Sequence, residues 1–390
     1  MMVQALFVSN LYTVQHAFGQ GWNWISTNFT DASLKKPKQF LSPILNWTNK
    51  LLSFDKELVV DPIYGLTGGI TELTASDMYK LKVNQACGLT LSGTPYNASD
   101  VSIGLVKGWN WLGYPPSLTQ STTVAMSNVS PQTNEVIKNQ TDFSVYSGSN
   151  WVGTMDSMRA GVGYMYLANS SRTFAYPSTI PTSSAPSMTL RSSVVMEDGW
   201  VCDIRQFADN MNMIIKLERN GLAVSPAEYT LAAFVGDECR GIGKNVGDLC
   251  FMTIYGQPSD ELINFRVLEK ESTKICSVVE TVLYSNNLIG TIVQPKKLKI
   301  GAEITGMENN DKDFVLYPNP VRSRLYLSSR QPVVTGVRIC QTDGRLMSLY
   351  DGDAYFTGID VSMLPEGIYI IALSTTNGTY YQKFIKLGGK

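Results

Sequence analysis

Apolar and polar residues alternate along much of the chain, and the alternation predicts strands. Met211, Met213, Ile215 and Leu217 share one side of a strand, as do Tyr229, Leu231, Ala233 and Val235, then Ile263, Phe265 and Val267. A period of two with one apolar face is the mark of a half-buried antiparallel sheet. Turn residues at Asn220-Gly221, Asn245 to Gly247 and Tyr255-Gly256 interrupt it, so residues 199–300 are expected to form an immunoglobulin-like β-sandwich. Near the C-terminus, Val333/Val334 to Ile339, Ile368 to Leu373 and Tyr380 to Lys386 read as short strands, with turns at Asp343-Gly344 and Asn377-Gly378. Pro318 and Pro320 cannot donate to a central ladder and belong at its edge. Residues 313–390 therefore read as a second, smaller immunoglobulin-like sandwich.

The N-terminal half repeats itself. Gly21-Trp22-Asn23-Trp24-Ile25 returns as Gly108-Trp109-Asn110-Trp111-Leu112, 87 residues on, and Met78-Tyr79 returns as Met165-Tyr166 at the same offset. Between these anchors Glu57-Leu58-Val59-Val60 is aligned with Glu135-Val136-Ile137-Lys138, and Gly68-Gly69-Ile70 with Gly153-Thr154-Met155. Each copy predicts a β-rich unit with one short helix. In the first the helix starts at Ser42-Pro43, with Ile44, Leu45, Trp47, Leu51 and Leu52 at near-helical spacing, and in the second it covers Thr122 to Ser127. The chain is thus mainly β and multi-domain. The expected order is a segment 1–18 left from preceding sequence, repeats at 19–106 and 107–180, a Pro-, Ser- and Thr-rich linker 181–198, the sandwich 199–300, a hinge 301–312 and the C-terminal module 313–390.

Composition narrows the function classes. Of 390 residues, 44% are hydrophobic and 17% charged, with a formal net charge of −1. That balance, without a basic patch, excludes nucleic acid as an expected partner. No apolar run is long enough for a membrane helix, so no transmembrane span is expected. Cys87, Cys202, Cys239, Cys250, Cys276 and Cys340 form no Cys-x-x-Cys and have no His-rich neighbourhood, so no zinc site is expected. Four of them between 202 and 276 leave room for disulfides in an exported protein; three pairings exist and the spacing does not choose among them. Met1 to Val14 lacks Lys and Arg and does not read as a signal peptide, so the chain is expected to be a C-terminal fragment or to begin at a misassigned start.

The single histidine, His16, reads as a strand-end residue, and no Gly-x-Ser-x-Gly, His-Glu-x-x-His or phosphate-binding Gly-rich loop is present. No catalytic residue and no cofactor are expected, and adjacent Asp237 and Glu238 are the one place that could offer oxygen ligands to Ca²⁺. A solvated turn paired with Arg240 is the plainer reading of those two. Trp22 and Trp24, like Trp109 and Trp111, lie two apart and so share a strand face. They could form an aromatic platform that stacks on sugar rings or plug the core of each repeat.

Two resemblances add to this reading. Tyr317-Pro318-Asn319-Pro320, the central Gly344, the run from Asp360 through Leu364, Gly367 and Tyr369, and the terminal Lys383-Phe384-Ile385-Lys386 resemble, in order, the type A C-terminal sorting domain of the type IX (Por) secretion system of Bacteroidetes. The resemblance implies export across the outer membrane, recognition by the secretion machinery and its sortase-like peptidase, removal of the module, and attachment to surface lipopolysaccharide or release. The Gly-Trp-Asn-Trp units resemble repeats found beside such domains, and Ala233-Phe234-Val235-Gly236-Asp237-Glu238-Cys239-Arg240-Gly241 resembles a β-sandwich module of extracellular bacterial proteins. A non-catalytic surface protein that binds host or polysaccharide partners is the expectation. The alternative is the tail of a larger secreted peptidase or glycoside hydrolase whose catalytic domain precedes Met1.

Overall fold

A computed structural model describes residues 12–178, 194–257, 261–304, 314–329, 334–341, 345–351, 358–375 and 378–388. It is built from strands, as the alternation predicts. The first repeat is a five-stranded antiparallel sheet in the spatial order Gly21–Ser26, Met78–Val83, Thr48–Leu52, Glu57–Asp61, Gly65–Gly68. The second repeats that order with Gly108–Leu112, Tyr164–Ala168, Val136–Lys138, Phe143–Tyr146 and Trp151–Gly153. Each sheet is accompanied by a two-stranded ribbon, Tyr12–Phe18 with Cys87–Gly93 and Ile103–Leu105 with Arg172–Phe174. The short helices are α Pro37–Leu41 leading into a 3-10 turn Ser42–Trp47, and α Thr122–Ala125, where Ser121 Oγ accepts from the Val124 N–H. Ser42-Pro43 therefore opens a 3-10 turn one element after the α-helical start.

Strand pairing revises the alignment inside the repeats. Ile25 lies opposite Tyr79 and Leu112 opposite Tyr164, so the equivalent of Tyr79 is Tyr164, at an offset of 85 and not at Tyr166. Both hydroxyls do the same work: Tyr79 accepts from Thr74 N and Tyr164 from Arg159 N, each at 2.8 Å. Likewise Glu57 corresponds to Phe143 and not to Glu135, because Glu57 pairs with Leu52 and Phe143 with Lys138, on matching strands. The alignment of Gly68 with Gly153 fits. A Cβ on Gly68 would meet the Glu57 carbonyl oxygen at 2.1 Å, and one on Gly153 would meet that of Phe143 at 2.2 Å.

Several boundaries also move. Tyr12–Phe18, assigned to a leftover segment, carries core residues Tyr12, Val14 and Phe18 of the first repeat. The second repeat begins by Ile103, the third module by Val194–Glu197, and Lys296–Glu303 runs into the expected hinge. Residues 1–11, most of the linker (179–193), the Asp343-Gly344 turn and Asn377 lie outside the described residues.

The third module holds its sandwich core on Met211, Met213, Ile215, Leu231, Ile254, Phe265 and Val267. Two strands pass from one sheet to the other. Glu238–Val246 pairs first with Tyr229–Val235 and then with Leu249–Gly256, and Lys296–Glu303 pairs with Asp209–Arg219 and then Lys274–Val278. Hydrogen bonding thus runs round the module, the arrangement in which corner strands bend between sheets. In the C-terminal module a three-stranded and a four-stranded sheet enclose Leu325, Val337, Ile339, Ile371, Leu373 and Phe384.

Candidate functional site

The Gly-Trp-Asn-Trp motif has a local reason. Gly21 and Gly108 take φ of +96° and +104°, a left-handed conformation that favours glycine, where the chain turns into the strand. The asparagine two residues later faces inward and holds that turn. Asn23 donates to the carbonyls of Gly19 and Gly21 at 2.9 and 3.0 Å, and Asn110 to those of Val106 and Gly108 at 2.8 and 2.9 Å. The flanking tryptophans must then face the opposite way, out of the repeat's own core.

That outer face is where the repeats meet. Ser26 N donates to Gly161 O and Gly113 N to Ser76 O, at 3.2 and 2.8 Å. Ser26 is equivalent to Gly113 and Ser76 to Gly161, so the contact is reciprocal, as across a two-fold axis. A Cβ on Gly113 would lie 2.1 Å from the Ala75 carbonyl oxygen, which explains the glycine. Trp24, Met78 and Met165 are buried together at this seam, with Trp109 and Trp111 packed against them. Two buried lysines cross it. Lys80 Nζ lies 4.4 Å from the Trp111 ring centre and 5.0 Å from that of Trp24; Lys138 Nζ lies 4.4 Å from Trp109. These are cation–π distances.

The third module closes the seam from its other side. Lys80 pairs with Asp209 at 2.6 Å, Lys138 donates to the carbonyl and side-chain oxygens of Asn210 at 2.8 Å each, and Trp24 Nε1 donates to Ala208 O at 3.0 Å. Trp109 Nε1 reaches Asn287 Oδ1 at 3.3 Å. Trp22 stands apart, half-buried, with Lys82 over its ring at 5.6 Å. Burial, with Lys80 nearby, lowers the Lys138 pKa to about 7, while Asp209 works against the shift.

Beside the seam a cleft of about 410 Å³ opens between the repeats. Trp109 and Trp111 form one wall and Phe54, from the turn after Thr48–Leu52, stands on the other. Phe54 is 69% exposed and meets Trp111 edge-on, with ring centres 6.0 Å apart. Asp55, Glu72 and Asp77 line the same space. Trp109 and Trp111 therefore line an open cleft, Trp22 is partly exposed away from it, and Trp24 is sealed at the seam. Sequence reasoning missed Phe54, Lys80 and Lys138; a lysine in the apolar strands Met78–Val83 and Val136–Lys138 was the available signal.

The remaining candidates resolve into structure. His16 is mid-strand, 4% exposed, stacked on Phe18 at 5.4 Å, with its pKa lowered to about 4 by burial. Asp237 pairs with Arg266 at 2.7 Å and Glu238 with Arg240 at 3.1 Å. Arg240 is 5% exposed and also grips Glu261. Among the described residues no group of three or more His, Cys, Asp or Glu is placed to hold a metal ion.

In the C-terminal module the two ends of its motif meet. Asn319 Nδ2 donates to Lys383 O at 3.0 Å and its Oδ1 accepts from Ile385 N at 2.9 Å. Tyr369 stacks on Phe384 at 5.5 Å and donates to Pro365 O, Asp360 Oδ1 accepts from Ser362 N, and Gly367 pairs with Lys386. Leu364 is buried, Tyr317 stacks on Tyr326, and Pro318 and Pro320 each follow a cis peptide bond. Residues 315–387 match the secretion system C-terminal sorting domain. The sorting domain marks the chain for type IX export and surface attachment. No curated protein matches the chain. Solved structures similar to it include the N-terminal four Ig domains of Dscam1 isoform 4.4 (10% identity, 97% of this chain and 100% of that one, TM-score 0.14). Sidekick-1 immunoglobulin domains 1-4 are another (11% identity, 88% and 90%, TM-score 0.13). Scores this low add nothing to the fold, which rests on the strands themselves. Among the described residues no helix is long and apolar enough to cross a membrane.

Proposed function

We propose that the exported chain is a non-catalytic binding protein that takes a glycan in the cleft between its repeats. The observation that supports this is the exposed Phe54 set edge-on to Trp111 over a space of about 410 Å³. Aromatic faces bind the apolar faces of sugar rings, and the carboxylates of Asp55, Glu72 and Asp77 accept hydrogen bonds from hydroxyls. The volume lies within the range of small-ligand clefts. Burial of Trp24 and the packed backs of Trp109 and Trp111 would hold the platform rigid, which lowers the entropic cost of binding. Titration of the full chain against soluble oligosaccharides and surface polysaccharides tests the reading. Phe54→Ala is expected to weaken the best ligand about tenfold with the melting temperature unchanged. A chain that binds no glycan, or a variant that binds as well as the parent, removes the proposal.

A further inference from the structure

The third module brings two cysteines together that the sequence leaves unpaired. Trp200–Asp203 runs parallel to Glu238–Val246, and the one registered pair between them is Cys202 opposite Cys239. Directly opposed residues on neighbouring strands point to the same face, and strands lie about 4.8 Å apart, inside the Cα separation that a disulfide accepts. Both side chains sit in one apolar cluster with Trp200, Phe234 and Tyr255, at 2% and 7% exposure, and the neighbouring Cys239 side chain, with burial, pushes the Cys202 thiol well above its ordinary pKa. Cys250 and Cys276 have no such neighbour. Cys250 lies opposite Ile215 and Asn245, and Cys276 opposite Val267 and Glu303. The sorting domain takes the chain out of the reducing cytoplasm, to compartments where disulfides persist.

We propose that Cys202 and Cys239 are joined by a disulfide in the exported protein. Two S–H bonds break and one S–S bond forms; the two protons and two electrons pass to a disulfide-bearing thiol oxidoreductase, which leaves as a dithiol. The link would matter to the repeats as well. Cys202 stands just before Arg205, Ala208, Asp209 and Asn210, and this is the stretch that meets the tryptophan seam. With only one registered pair holding Trp200–Asp203 to Glu238–Val246, the covalent bond would anchor that stretch to the barrel-like core.

The test is a peptide map of the protein recovered from the cell surface, alkylated before unfolding and digested without reductant. The expected result is a peptide pair linked through Cys202 and Cys239, with Cys87, Cys250 and Cys276 recovered as thiols once the chain is unfolded. Free Cys202 and Cys239, or either of them linked elsewhere, overturns the proposal. A second measurement guards against variants that misfold. The chain refolded under oxidising conditions is expected to melt about 3–7 °C above the same chain refolded with reductant. The double variant Cys202→Ser, Cys239→Ser should melt at one temperature under both. A shift that persists in the double variant contradicts the assignment.

Discussion

Lys138 shows what a single residue contributes at the seam. Its ammonium is buried, held by Asn210 and by the face of Trp109, and its pKa is lowered to about 7 from the ordinary 10.5. The charged groups around it are Lys80, also lowered by burial, and Asp209, which favours the charged form of both. An unfolded lysine stays protonated to about pH 10.5, so between about 7 and 10.5 the unfolded state binds the extra proton. Stability therefore rises with pH across that window, and the full penalty of burying the charge is present below it. Lys138→Met keeps the stem and removes the charge. In urea unfolding between pH 6 and 10 the variant should lose much of this rise, with a pH-independent loss from the Asn210 oxygens left without their donor. An unchanged pH slope would show that Lys138 does not titrate there.

At the scale of the element, Asn23 and Asn110 are the same device in two settings, and the comparison separates local from junction energetics. Asn110 closes its turn alone; Asn23 does so while its Oδ1 also accepts from Arg205 of the third module. Asn110→Ala should cost about 1–2 kcal/mol, from the lost amide bonds to the part-buried Val106 and Gly108 carbonyls. Asn23→Ala should cost more, because the Arg205 guanidinium loses an acceptor too, and thermal unfolding of the two variants measures the difference. The motif itself was plain in the sequence; what it does was not. Two tryptophans on one strand face are legible from spacing, but whether that face meets the repeat's own core, solvent or another module depends on packing between distant segments. The Met-Tyr anchor misled for a related reason. Both strands place a tyrosine opposite the motif strand, and a two-residue difference in the intervening loops hid the true offset of 85. Boundaries slipped where an edge strand such as Val194–Glu197 is short, while the C-terminal domain was readable because the described residues of its motif act over short distances or at one sheet edge.

Over the whole molecule, the distribution of cores suggests two cooperative units. The first repeat's cluster includes Ala160 of the second, and one cluster combines Val136, Phe143 and Val145 of the second repeat with Ile214 and Phe251 of the third module. With Trp24 and the two lysines bridging all three, none of these modules can open without exposing part of another. The sorting domain differs: its cluster draws on Leu316 to Phe384 alone, and Asn319 ties its first residues to its last strand. The independence is one of cores, since Tyr381 lies near Cys239 and Arg266 of the third module. Calorimetry of the full chain should show two transitions, a large one for residues 12–304 and a smaller one for the sorting domain. Coupled cores melt together and separate ones do not. A chain ending at residue 304 should lose the smaller transition and keep the larger within about 2 °C, a margin that corresponds to about 1 kcal/mol for a unit of this size. If truncation instead lowers the large transition well beyond that margin, the sorting domain is part of the same core network.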